Sequence, residues 1–168
     1  MMSSTRMEPI NPESLGAPRG YSNGMLAPGG GRLLFIAGQV AWDSDQQVVS
    51  DEFVVQFAQA LSNVLEVVRT AGGTPEDIGQ LTIYVTDKAE YLGSGRKLGE
   101  SYRLLMGQHY PTMALVEIAA LVDDRAKVEI SGLAVVQSEE EAVMEATGTA
   151  PGTVTVGDFP AAVSKKGA

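Results

Sequence analysis

Apolar and polar positions recur along this chain with two periods, and the switches between them mark its elements. Leu33 to Val40 (LLFIAGQV) is an apolar run of strand length, bounded by glycine before it and by the polar Asp43-Ser44-Asp45 turn after it. Ser50 and Asp51 then offer N-caps for a helix lasting to Ala71. Its apolar positions Phe53, Phe57, Leu61, Val64, Leu65 and Val68 fall on one face, and Gly72-Gly73 supplies a left-handed stop. Thr74-Pro75-Glu76-Asp77 is a cap-and-first-turn signature with room for a single turn before Gly79. Gln80 to Thr86 (QLTIYVT) alternates and is β-branched, which predicts a strand. Glu90 to Gly107 predicts a second helix with Tyr91, Leu98, Tyr102, Leu105 and Met106 as its buried stripe, although Gly93, Gly95 and Gly99 weaken its start. His109-Tyr110-Pro111 breaks that helix. Thr112 to Leu121 and Lys127 to Val136 predict two strands around the Asp123-Asp124-Arg125 turn, expected to pair as an antiparallel hairpin.

This order of strands and helices predicts an α+β subunit, a small mixed sheet with both helices on one face. Two strand-plus-helix units, starting near Leu33 and Gln80, suggest an internal duplication. The other sheet face stays bare and apolar, which predicts a homo-oligomer. Residues 1–16 read as a flexible lead-in, within a Gly-, Pro-, Ser- and Asn-rich zone that closes at Pro28-Gly29-Gly30-Gly31. A short strand at Gly24 to Ala27 is expected to pair across that turn with the strand starting at Leu33. Residues 137–168 read as a C-terminal extension, acidic at Ser138 to Ala142, where a short helix is expected, then rich in Gly, Thr, Ala and Pro.

Composition narrows the chemistry. Zero cysteines exclude disulfides, thiol nucleophiles and iron–sulfur or zinc-ribbon sites, and a single histidine excludes a His-built metal cluster. The net charge of −9, from 12 Lys+Arg against 21 Asp+Glu, argues against a broad nucleic-acid surface. No signal-peptide core and no bilayer-length apolar run is evident, so the expected setting is cytoplasmic, without a membrane partner. Nucleophile-elbow, P-loop, HExxH and EF-hand patterns are absent. His109, as the single histidine, is the first general-base candidate, set against a plain helix-dipole role just past a helix end. Trp42 reads as core or interface rather than a stacking platform.

Glu117 is the odd residue. Alternation over Thr112 to Leu121 puts it in one row with Met113, Leu115, Ala119 and Leu121, a carboxylate among apolar side chains. An unpaired ionised group there costs several kcal/mol, so it faces a wet pocket, finds a donor, or keeps its proton. The first and last of these suit acid–base chemistry, whereas an intersubunit hydrogen bond or salt bridge carries none. Glu129, in KVEIS, reads more simply as a solvated strand position. Tyr21 and Ser22 are placed to fold over such a pocket or to pack on the surface.

LLFIAGQV, the helix ending in AGGTPEDI, the strand into YVTDKAEY, and PTMALVEIAAL with VEISGLAVV resemble, in that order, the RidA/YjgF/YER-type reactive intermediate deaminases. The resemblance covers residues 17–136 and includes Gly38-Gln39, Thr86-Asp87, Pro111 and Val116-Glu117. It implies a chorismate-mutase-like subunit in a homotrimer whose sheets enclose a central β-barrel, with ligand clefts between subunits. It further implies hydrolysis of 2-enamines and 2-imines to 2-keto acids and ammonia without a cofactor, with Glu117 positioning the water. Tyr21 and Gly38 keep the family pattern, although Arg19-Gly20 stands before Tyr21-Ser22 where Gly-Pro is usual.

Four positions implied in substrate binding have changed in one direction. Met113 stands where the family has a carboxylate-clamping arginine, Leu115 where it has Thr or Cys, Ala37 where it has Ser, and Ala89 where it has Asn. Methionine forms no charge-assisted pair with a carboxylate, which implies a less charged substrate than an imino acid. Arg19 or Arg32 is the alternative source of a guanidinium. A non-catalytic trimer that binds a small ligand is the competing reading. Endoribonuclease activity ranks last, because the chain is acidic and lacks a stripe of alternating basic and aromatic residues.

Overall fold

The computed structural model describes residues 6–137, so the acidic helix expected at 138–142 and the tail beyond it lie outside the described residues. Eighteen residues form α1 (Phe53–Thr70), and the stripe spaced along it is buried against the sheet. Ser50 accepts the Glu52 N–H at 3.1 Å, which moves the helix start two residues past the expected cap. Gly72 has φ +87°, the left-handed conformation its position after the helix requires.

The main sheet has four strands: β3 (Arg32–Gln39), β4 (Ile78–Val85), β5 (Thr112–Glu117) and β6 (Val128–Val136), in the order β3-β6-β4-β5. A helical pair, α2 (Lys88–Gly93) and α3 (Gly95–Met106), connects β4 to β5, which lie parallel as such a crossover demands. The long helix expected from 90 to 107 is thus two. Asp87 caps α2 by accepting from the Ala89 and Glu90 N–H groups, and Ser94, between Gly93 and Gly95, leaves the helical conformation.

The expected hairpin between the last two strands is corrected. β5 ends at Glu117 and pairs with β4 alone, while β6 inserts between β3 and β4, antiparallel to both. The physical reason lies in β6. Val128, Ile130, Ala134 and Val136 are buried on its helix-facing side, and its other side carries Leu133 and Val135 beyond Glu129 and Ser131. A strand with this much apolar surface to bury gains most at the centre of a sheet.

The lead-in is likewise more ordered than expected. A strand β1 (Glu8–Ile10) pairs with β2 (Gly24–Leu26), so β2 does not pair with β3. Pro28 lacks an N–H and three glycines follow it, so that turn has little to hold a hairpin register.

Both helical layers cover one face of the sheet. The other face is bare, with Phe35 73% and Leu33 56% exposed, beside Val116 and Leu133. Among the described residues no helix is long and apolar enough to cross a membrane.

Gln56 on α1 is fully buried, and its amide is saturated. Nε2 donates to the Ser50 and Arg125 carbonyls at 2.7 and 2.9 Å, and Oε1 accepts from the Lys127 N–H at 2.8 Å. Replacing it by leucine takes the side-chain partner from three part-buried backbone groups, so Gln56→Leu is expected to lower stability by about 3 kcal/mol or more. Urea unfolding followed by circular dichroism measures this, and a loss under about 1 kcal/mol contradicts the assignment.

Candidate functional site

A cavity of about 780 Å³ opens on the helix-facing side of β5, between α3 and the segment preceding β2. The segment is held by Ser22, which is buried. Its Oγ donates to the Tyr110 carbonyl at 2.6 Å and its N–H to the Pro111 carbonyl at 3.0 Å. Arg19 and Tyr21 therefore stand at the cavity wall, opposite Tyr91, Tyr102 and Arg103, with Met113 between them on β5.

The aromatic part of the wall is built from ring contacts. Tyr102 and Tyr110 stack with centroids 5.3 Å apart and planes 13° apart, and Tyr91 meets Phe53 edge-on at 6.3 Å. Tyr102 donates to the His109 carbonyl at 2.9 Å, and burial pushes its phenol well above the usual range. His109 itself lies with Nε2 2.7 Å from the Ile78 carbonyl, an anchoring bond at the start of β4.

The site residues expected from sequence divide into two groups. Tyr21 and Met113 line the cavity; Leu115 packs on the core next to it on β5. Glu117 ends β5, exposed, with Oε1 accepting the Lys88 N–H at 2.8 Å, so it has found a donor from elsewhere. Ala89 lies in the first turn of α2, its N–H given to Asp87. Ala37 and Gly38 are on β3, at the opposite edge of the sheet, away from all of these. Arg32 donates to the Ala71 carbonyl at 3.0 Å and does not line the cavity, whereas Arg19 does.

Glu129, expected as a solvated strand position, is half-buried. Ala37 and Gly38 oppose Ser131 alone, a bulge in the β3–β6 ladder. A Cβ on Gly38 would collide with Glu129 Oε1, so the half-buried carboxylate lies in the space that glycine leaves. Among the described residues Glu129 has no hydrogen bond or ion pair. The glycine in GQV was its sequence signal, but only the pairing of β3 with β6 joins the two. Among the described residues no group of His, Asp and Glu is arranged to hold a metal ion.

The endoribonuclease L-PSP family model matches residues 12–136. The chain belongs to this family, which includes the RidA/YjgF proteins. A RutC family protein of Pyrococcus horikoshii is 30% identical over 115 residues, covering 68% of this chain and 85% of that one. The 2-iminobutanoate/2-iminopropanoate deaminase of Salmonella typhimurium is 29% identical over 108 residues, covering 62% and 80%. A crystal structure of a conserved Rid family protein from Yersinia pestis superposes with a TM-score of 0.70 at 29% identity, over 78% of this chain and 99% of that one. The α+β fold, with its mixed sheet and main helices, is that of the family.

Ser22 tethers the cavity-wall segment to the turn before β5 through these two hydrogen bonds. In Ser22→Ala the Tyr110 carbonyl loses its donor. Amide exchange across residues 19–25 is expected to quicken about tenfold while α1 exchanges unchanged, as read by hydrogen–deuterium exchange mass spectrometry. Unchanged exchange in 19–25 contradicts the tether.

Proposed function

We propose that the protein is a reactive intermediate deaminase acting on small enamines and imines, in clefts shared between subunits of a homotrimer. One observation carries the reading. Tyr21 and Met113 sit at the β5 edge of the sheet, and Gly38 with the free Glu129 carboxylate sits at the β3 edge. In one copy the two groups are separated by the width of the sheet. They complete a site when the β5 edge of one copy meets the β3 edge of the next, a heterologous contact that closes into a ring. The bare face bearing Leu33 and Phe35 is then covered in the ring, as the interior of a barrel.

In such a cleft a carboxylate takes a proton from water as the water oxygen bonds to the imine carbon. The resulting carboxylic acid passes that proton to the nitrogen, and the proton of the new hydroxyl follows as the C–N bond breaks, so that a ketone and ammonia leave and the carboxylate is regenerated. Glu117 and Glu129 are the carboxylates available to the two edges. Glu129 is the better placed base, because Glu117 is already engaged at the α2 start while Glu129 has no partner among the described residues and flanks the Gly38 backbone. Glu117 then positions the Lys88 backbone at the α2 start rather than the water.

Imine generated from an amino acid by an oxidase gives a coupled assay for keto acid and ammonia. Glu129→Gln is expected to cut kcat about 100-fold or more, the usual scale of a lost general base, and Glu117→Gln less than 10-fold. The reverse pattern returns the water to Glu117. Saturable ligand binding with no turnover of any imine favours the non-catalytic reading. Sedimentation tests the assembly, and a monomer at micromolar concentration contradicts the shared cleft.

A further inference from the structure

This acidic chain contains 21 Asp+Glu residues, yet among the described residues not one of them lines the large cavity. Its charged wall residues are Arg19 and Arg103, with His109 beside them. Among the described residues neither guanidinium is hydrogen-bonded or ion-paired. Placing two free arginines in a concave wall that excludes carboxylates gives that wall the opposite sign to the chain as a whole.

The rest of the wall is aromatic and open. Tyr21, Tyr91, Tyr102 and Tyr110 all line the cavity, and the Tyr102–Tyr110 stack holds two of the rings in place. Two glycines of α3 contribute as well, one at its first residue and one inside it. Gly95 and Gly99 line the cavity, and a Cβ on Gly99 would stand 3.3 Å from Arg103 Nη1. A glycine inside a helix costs about 1 kcal/mol relative to alanine, and here it leaves free volume beside a guanidinium. The resulting cavity of about 780 Å³ is in the range that encloses ring-bearing ligands and exceeds what a three- or four-carbon imine fills.

We propose that this cavity selects a substrate combining a carboxylate with a planar ring, an aryl 2-imino or 2-enamino acid. Arg19 and Arg103 take the carboxylate, and the tyrosine walls take the ring. This rests on reading the cavity as the substrate pocket of the proposed deaminase. It replaces the expectation of a weakly charged substrate, which followed from Met113 alone. The guanidinium missing from β5 is supplied from the β2 lead-in and from α3.

The test is calorimetric titration of the full chain with keto-acid products, so that binding is read apart from turnover. Phenylpyruvate is expected to bind at least tenfold tighter than either 2-oxobutanoate, which lacks the ring, or phenylacetone, which lacks the carboxylate. An Arg19→Gln/Arg103→Gln double variant is expected to lose at least tenfold for phenylpyruvate and to leave phenylacetone unchanged, with its melting temperature confirming the fold. Equal affinity for the three probes, or phenylpyruvate binding indifferent to the double variant, overturns the proposal. Hydrolysis of small imines without a preference for phenylpyruvate overturns this inference and leaves the deaminase reading intact. The expected binding pattern without imine hydrolysis does the converse.

Discussion

The position of β6 between β3 and β4 is the constraint that organises the rest of the molecule. A strand that carries Val128, Ile130, Ala134 and Val136 inward, all of them buried, belongs at a sheet's centre. Once it lies there, β3 and β5 become the two outer edges. Each edge then carries one set of chemical groups: Gly38 with Glu129 on one side, the cavity wall with Met113 on the other. In the reading proposed above neither set is a complete site by itself, and the sheet's bare apolar face favours association of copies.

Local features read well from sequence because their causes are local. The stripe of α1 needs only its own spacing, and Gly72 only the need for positive φ. Asp87 announces α2 through its own carboxylate, although glycine spacing alone did not reveal the break at Ser94. The strand pairings were less legible. Adjacency in sequence favoured a hairpin between the last two strands, and the parallel partner of β5 depended on the crossover through α2 and α3.

The site shows the same division. Tyr21 and Met113 go together by family resemblance, and both line the same cavity. Arg103, Tyr91, Tyr102 and Tyr110 were legible only as helix or break residues, because what they share is a concave surface rather than a motif. Glu129 looked solvated because a half-buried carboxylate on an alternating strand has no distinctive pattern. Its environment is made by a bulge in another strand.

Gln56 has a consequence for the order of assembly. Its buried amide is completed by Arg125 and Lys127, separated from it by 69 and 71 residues, and the central strand comes directly after them. As the chain leaves the ribosome, α1 and the two strands that will flank β6 are made long before their shared partner. Until β6 arrives, the inner edges of β3 and β4 carry unpaired backbone groups, a state open to wrong pairing with other chains. The molecule is therefore expected to be most vulnerable to aggregation during synthesis, and to become safe in one late step when residues 125–136 close the sheet.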